Sequence, residues 1–155
     1  GISGGGRTGE EDPELQGSLR TRFEFVDIVS VEATGRLGYA AIDERLLMML
    51  GIGTKLAIPI EPVVPHLRLG LIHFHETPVA VMDHDPFMHA MGVGDGIRHR
   101  FGFEGALGVS WFFAQAGDTT FLAQAEGLVD AFGDDGKGPA VYGGASLGLG
   151  LQYAL

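Results

Sequence analysis

The chain contains no cysteine, which excludes a disulfide framework and thiolate metal sites and suits a compartment where stray thiols would oxidise. Long hydrophobic runs are also missing. The longest, residues 46–50 (LLMML), falls far short of the ~20 residues that a membrane-spanning helix needs. No basic segment followed by an apolar one opens the chain, so a helical membrane protein is not expected, and any signal peptide is expected to have been removed already. Basic residues are few, 10 Lys and Arg against 20 Asp and Glu, which disfavours nucleic acid as a partner. GxSxG, HExxH, P-loop and dinucleotide fingerprints are all absent, so none of the common enzyme motifs is available.

What is present is glycine, 26 residues of 155, with neither the G-X-Y period of collagen nor a Ser/Gln-rich tract. The glycines therefore serve a folded purpose, and the length suits one domain over residues 1–155. Mean hydropathy is positive at +0.19 despite a net charge of −10. Some feature of the fold must keep the two characters apart.

That feature is period-2 alternation, which recurs along the chain where period 3.6 does not. In 18–25, Leu19, Thr21, Phe23 and Phe25 oppose Arg20, Arg22 and Glu24. After a Val26-Asp27 turn, 29–41 sets Val29, Val31, Leu37 and Tyr39 against Ser30, Glu32 and Arg36. Further strands are expected at 48–58, from His66, at 98–112, at about 120–130 and at 143–155, with a weaker first strand at 1–9. Prolines 59, 62 and 65 mark a connection, and 76–95 reads as the longest loop. The expectation is all-β: eight long strands in an antiparallel up-and-down barrel, their length matching the ~9–11 residues of a tilted transmembrane strand.

Alternation does not say which face points inward. A lipocalin-like soluble barrel carrying an apolar ligand would put the leucines inside; a membrane barrel reverses them. The polar face combines glycines with charges of both signs, Arg20, Arg22, Glu24, Glu32, Arg36, Lys55, Arg68, Arg100, Glu104 and Glu126, which suits a narrow interior filled by paired charges. The apolar face carries Phe25, Tyr39, Trp111, Phe121 and Tyr153 toward strand ends, where interfacial aromatic girdles lie. Alternate connections are acidic, holding Glu10, Glu11, Asp12, Glu14, Asp43, Glu44, Glu76, Asp83, Asp85, Asp95, Asp134 and Asp135 against Arg45 and Lys137. Short turns at one end and longer acidic loops at the other are the asymmetry of barrels whose loops face outward.

Taken together the pattern resembles the small eight-stranded outer-membrane barrels of Gram-negative bacteria, of the OmpA/OmpX type, over nearly the whole chain. Its most specific element is the in-phase ending GGASLGLGLQYAL. In that family an alternating apolar last strand is read by the barrel assembly machinery, which implies that Leu149, Leu151, Tyr153 and Leu155 form an assembly signal. The resemblance also implies outer-membrane lipid and lipopolysaccharide as surroundings, an envelope protein as a possible partner, and a structural or interaction role.

Chemistry is sparser. The stretch HFHETPVAVMDHDPFMH offers His73, His75, His84 and His89 as ligands for a divalent cation, since imidazole beside carboxylate suits such ions. No other cofactor is expected, although acidic loops near lipopolysaccharide can collect Ca²⁺ or Mg²⁺ loosely. An Arg/Glu interior invites an ion-channel reading, but an eight-stranded barrel is just wide enough to be filled by its own side chains. A lipid-modifying rim enzyme needs a nucleophile beside a base, and His99 and Ser110 have opposite parity, so an enzyme is not expected.

Overall fold

The computed structural model describes residues 1–9, 12–82 and 85–153. Its strands are β1 (Ile2–Gly9), β2 (Asp12–Val26), β3 (Val29–Ala40), β4 (Arg45–Ala57), β5 (Val63–Pro78), β6 (Arg98–Ala116), β7 (Thr119–Phe132) and β8 (Val141–Tyr153). Each pairs antiparallel with its sequence neighbours, and β1 closes on β8 from Ile2↔Leu149 to Thr8↔Gly143. Over the span of β1 closure gives each strand a partner on both sides, as lipid requires where no water can satisfy an open edge; at the short-turn end, residues 21–26 of β2 pair only with β3 and residues 151–153 of β8 only with β7.

Several strands run further than alternation suggests. β2 begins at Asp12 rather than 18, with Pro13 opposite Thr8. The turn after it is 27–28, so Val26 stays in the strand. β5 begins at Val63 and contains Pro65, whose carbonyl accepts the Ile58 N–H at 2.9 Å. A strand residue's nitrogen and carbonyl point the same way, so the donor that proline lacks would have faced the very end of β4, where one lost ladder bond costs least. At its other end β5 continues through the HFHE stretch to Pro78, so the long connection starts at 79 rather than 76. That connection holds a 3-10 turn at Val79–Val81 and one short helix, α1 (Pro86–Ala90), capped by the Asp85 carboxylate accepting the Met88 N–H.

The apolar face points outward. Leu15, Leu147 and Phe101 are more than 70% exposed, whereas Lys55, Glu76 and Asp130 are at most 2% exposed. This inverts the usual order of a water-soluble domain and removes the lipocalin-like alternative, which needs its leucines inside. Trp111 and Phe101 lie ten residues apart on β6. At ~3.3 Å per residue and a tilt of ~40°, that spans about 25 Å normal to the sheet ring, the height of a transmembrane barrel's apolar band.

The aromatic residues are distributed differently from two symmetric girdles. Phe25, Trp111, Phe121 and Tyr153 all lie at the short-turn end, joined by Phe23 and Phe113; Tyr39 lies at the other end. Ring centroids of Trp111 and Phe113 are 5.6 Å apart, and those of Phe113 and Phe121 6.4 Å. Both strand irregularities, at Glu24/Val26 and Phe112/Ala114, fall at this end. Each bulge inserts a phenylalanine, Phe25 or Phe113, which re-aims a ring and shifts the register by one residue beyond it.

Candidate functional site

Three places carry polar chemistry: the lumen, its mouth at the short-turn end, and a histidine patch on the outer wall. Inside the lumen, strand parity stacks charged residues from β1 to β7 against one another. Glu126 on β7 accepts both Nη atoms of Arg20 on β2 at 2.9 and 3.0 Å, with Arg68 Nη2 at 3.2 Å and Gln124 Nε2 at 2.6 Å. Glu32 lies 3.7 Å from Arg20 Nε and 3.6 Å from Arg68 Nε. Glu104 pairs with both Arg36 and Arg68, and Arg7 pairs with Glu14 and Asp130. Arg36 also reaches Asp130 at 3.4 Å. Arg7, Arg20, Arg36, Lys55 and Arg68 thus face Glu14, Glu32, Glu104, Glu126 and Asp130, so this layer is electroneutral. A neutral, mutually hydrogen-bonded set is the condition under which charges tolerate burial.

A second knot lies nearer the long-loop end. Glu76 accepts from Arg45, from Arg98 at 3.2 Å and from Arg100 at 3.4 Å. Arg98 also holds Asp135 in the β7–β8 connection (Nε to Oδ2, 2.7 Å). The guanidinium keeps that exposed carboxyl well below the usual carboxylate range. Glu14 and Glu76 are therefore lumen residues and not part of the acidic loop surface, because their strands extend further than alternation indicates.

Of the ten residues expected in the interior, Glu32, Arg36, Lys55, Arg68, Arg100, Glu104 and Glu126 are buried and Arg20 is half-buried. Arg22 and Glu24 share the parity but line the open mouth, with no ion pair between them and other described residues. The alternation did not reveal an apolar plug. Ala40, Leu47, Met49, Ile72, Phe74, Phe132 and Tyr142 form one buried cluster inside the barrel toward the long-loop end. The Arg7 guanidinium sits 4.4 Å over the Phe74 ring and 4.5 Å over Tyr142, and that of Arg100 4.4 Å over Phe132. These cation–π contacts join plug to charge layer.

Below the charge layer the lumen opens toward the short-turn end in two adjoining cavities of about 700 and 620 Å³. Between them and the charge layer lies an arrangement that parity of His99 and Ser110 does not disclose. Ser110 Oγ is 3.5 Å from His66 Nδ1, and His66 Nε2 is 3.0 Å from Glu126 Oε1. Lys55 Nζ donates to the same Ser110 oxygen at 3.2 Å. The imidazole beside this serine is that of His66, not His99, and Ser110, His66 and Glu126 come from the adjacent strands β6, β5 and β7. Gly108, opposite His66, is required here, since a Cβ would lie 2.8 Å from His66 Nε2.

On the outer wall His73 and His75 share the lipid-facing side of β5, and His99 on β6 is the partner of His75 in the ladder. Ring centroids are 4.4 Å apart for His73 and His75, 4.6 Å for His75 and His99, and 5.7 Å for His73 and His99. His89 does not join them: it lies on α1, with its Nδ1 2.9 Å from the Asp85 carbonyl. His84 lies outside the described residues. In β8, Leu149, Leu151 and Tyr153 face outward and are exposed; Leu155 lies outside the described residues.

No protein-family model and no curated protein matches the sequence. Solved structures do share its fold. Neisserial surface protein A superposes with a TM-score of 0.63 at 14% identity, covering 96% of this chain and 90% of that one. The N-terminal β-barrel domain of Pseudomonas aeruginosa OprF superposes with a TM-score of 0.57 at 17% identity, covering 97% of this chain and 93% of that domain. The chain has the fold of the eight-stranded outer-membrane barrels.

Proposed function

We propose that this chain is an integral outer-membrane barrel with a structural or interaction role, sealed rather than porous, that presents acidic loops at the cell surface. The apolar belt supports membrane residence. The observation that carries the sealed reading is the plug: Leu47, Met49, Phe74, Phe132 and Tyr142 cross the lumen directly above the electroneutral charge layer. Eight strands enclose a space that side chains can fill, and here large ones fill it.

The surface role follows from where the charge is left once the lumen has neutralised itself. Glu44, Asp85, Asp95 and Asp134 stand in the connections at the long-loop end, with Lys137 as the basic residue among them, while Asp43 and Asp135 there are paired with Arg45 and Arg98. Such loops suit divalent-bridged lipopolysaccharide or a basic face on an envelope partner. The name of one structural neighbour describes a surface protein, which supports the same orientation. The outward Leu149, Leu151 and Tyr153 of β8, with Leu155, would serve the assembly machinery during insertion.

The test is conductance of the refolded protein in planar bilayers, together with labelling by a fluorophosphonate. A sealed, non-enzymatic barrel shows no stable unitary conductance and no labelled serine. Reproducible ohmic openings would overturn the sealed reading. Covalent labelling at Ser110 would overturn the non-enzymatic one, because it would mean that His66 and Glu126 activate that hydroxyl.

A further inference from the structure

The geometry points to a metal site on the outer wall of the barrel, formed by His73, His75 and His99, that takes a borderline divalent cation such as Zn²⁺, Cu²⁺ or Ni²⁺. One ring nitrogen from each of the three histidines lies within 4.8 Å of the other two. Tetrahedral coordination at ~2.0–2.1 Å requires nitrogens about 3.4 Å apart, so small rotations about side-chain torsions bring the three onto one ion. The backbone already sets the spacing. His73 and His75 are two residues apart on one face of β5, and His99 stands directly opposite His75, where facing Cβ atoms are ~4.5–5.5 Å apart.

The ring nitrogens are free for this purpose. Nδ1 of His73 and both ring nitrogens of His75 are buried without a hydrogen-bond partner among the described residues. His75 is only 7% exposed although it points away from the lumen. What covers it is the connection after β5. A Cβ on Gly92, which has φ +82°, would lie 2.2 Å from His75 Nδ1, so bare backbone is folded against the ring. Thr77 Oγ1 donates to the His89 carbonyl at 3.1 Å and holds α1 to the same wall. Burying an imidazole with both nitrogens idle is costly, and a bound cation is one partner that would offset that cost.

Depth and donor type decide the ion class. His73 is level with Phe101, at the upper limit of the apolar band, and His99 is two residues above it, so the site lies at headgroup depth and reaches water through the exposed His99. Three neutral nitrogens and no carboxylate favour Zn²⁺, Cu²⁺ or Ni²⁺ over Ca²⁺ and Mg²⁺, which demand oxygen. The fourth position is left to water or to a headgroup phosphate oxygen. The site therefore differs from any loose cation layer on the acidic loops, and from a site built on His84 and His89.

The experiment is titration of the detergent-refolded full chain with Zn²⁺ alone, after chelator stripping, followed by a competing chromogenic chelator; Co²⁺ provides a spectroscopic check of tetrahedral nitrogen ligation. We expect one ion per chain. His99→Ala and His75→Ala should each weaken it by at least about tenfold, the smaller of the losses that even outer-shell changes cause, while His89→Ala leaves it unchanged. Binding should fall on acidification, because protonated imidazole cannot ligate. His99→Gln, at an exposed position, serves if His75→Ala fails to fold, as judged by its gel mobility. No binding by the folded wild type, equal binding by the His99 variants, or loss of binding in His89→Ala would each overturn the site.

Discussion

At the residue scale, Asp130 concentrates the physics of the lumen. It is fully buried, it pairs with Arg7 and Arg36, and it lies next to the plug through Tyr142, its partner in the β7–β8 ladder. Removing one member of a buried, paired set leaves the others uncompensated, so Asp130→Ala should cost about 3–5 kcal/mol, while Asp130→Asn, which keeps acceptor geometry, should cost less. Urea unfolding in lipid vesicles, followed by gel mobility, measures both. Equal stability of Asp130→Ala and the wild type would mean that the network is an ornament of a barrel held by its backbone ladder alone. Residue parity was legible in the sequence for Arg20, Glu32, Arg36, Lys55, Arg68, Arg100, Glu104 and Glu126, because side chains alternate strictly across a strand. It was not legible that Phe74 and Tyr142 share that parity for a packing reason, since an aromatic on the charged face reads as an exception until its stacking partners are known.

At the element scale, the strands behave as two-sided objects whose outer side faces hydrocarbon. Leu69 on β5 is outward and 57% exposed, level with Gly105 and midway between the levels of Trp111 and Phe101. Leu69→Arg should therefore cost about 2–4 kcal/mol, the penalty for a cation at the bilayer midplane of such barrels, whereas Ile42→Arg in the 41–44 turn should cost about 0–1 kcal/mol. Equilibrium unfolding in vesicles would separate the two, and equal costs would contradict the membrane placement of the belt. Element boundaries were where alternation was weakest. Pro65 and Pro78 read as parts of connections, yet both lie in β5, Pro65 at a place where the missing N–H costs little.

At the scale of the whole molecule, closure governs behaviour. A ladder that closes β8 on β1 around a neutral, interlocked lumen resists detergent, so the folded chain should run as a compact, fast-migrating band in SDS that shifts on boiling, with β-rich circular dichroism before heating. A protein that stays monomeric and soluble without detergent and shows no shift would contradict the outward-facing belt. The long-loop end is tied to the lumen through Arg98, which holds Glu76 on one side and Asp135 on the other. Loop 133–140 is thus anchored to the barrel and is not an independent appendage.

From the amino-acid order alone came the strand number, the two faces of each strand and the resemblance to eight-stranded outer-membrane barrels, because each depends on nearest neighbours and on period 2. Which face met lipid needed a further weighing of charges, glycines and aromatics, and the exposed leucines bear that reading out. Only the tertiary structure decided the registers between strands. Local periodicity holds no information on them, and β5 and β6 are separated by the longest connection. That register is what sets His75 against His99, brings Ser110 to His66, and stacks Phe74, Phe132 and Tyr142 into a plug; shifting a strand by two residues would keep every face and undo all three.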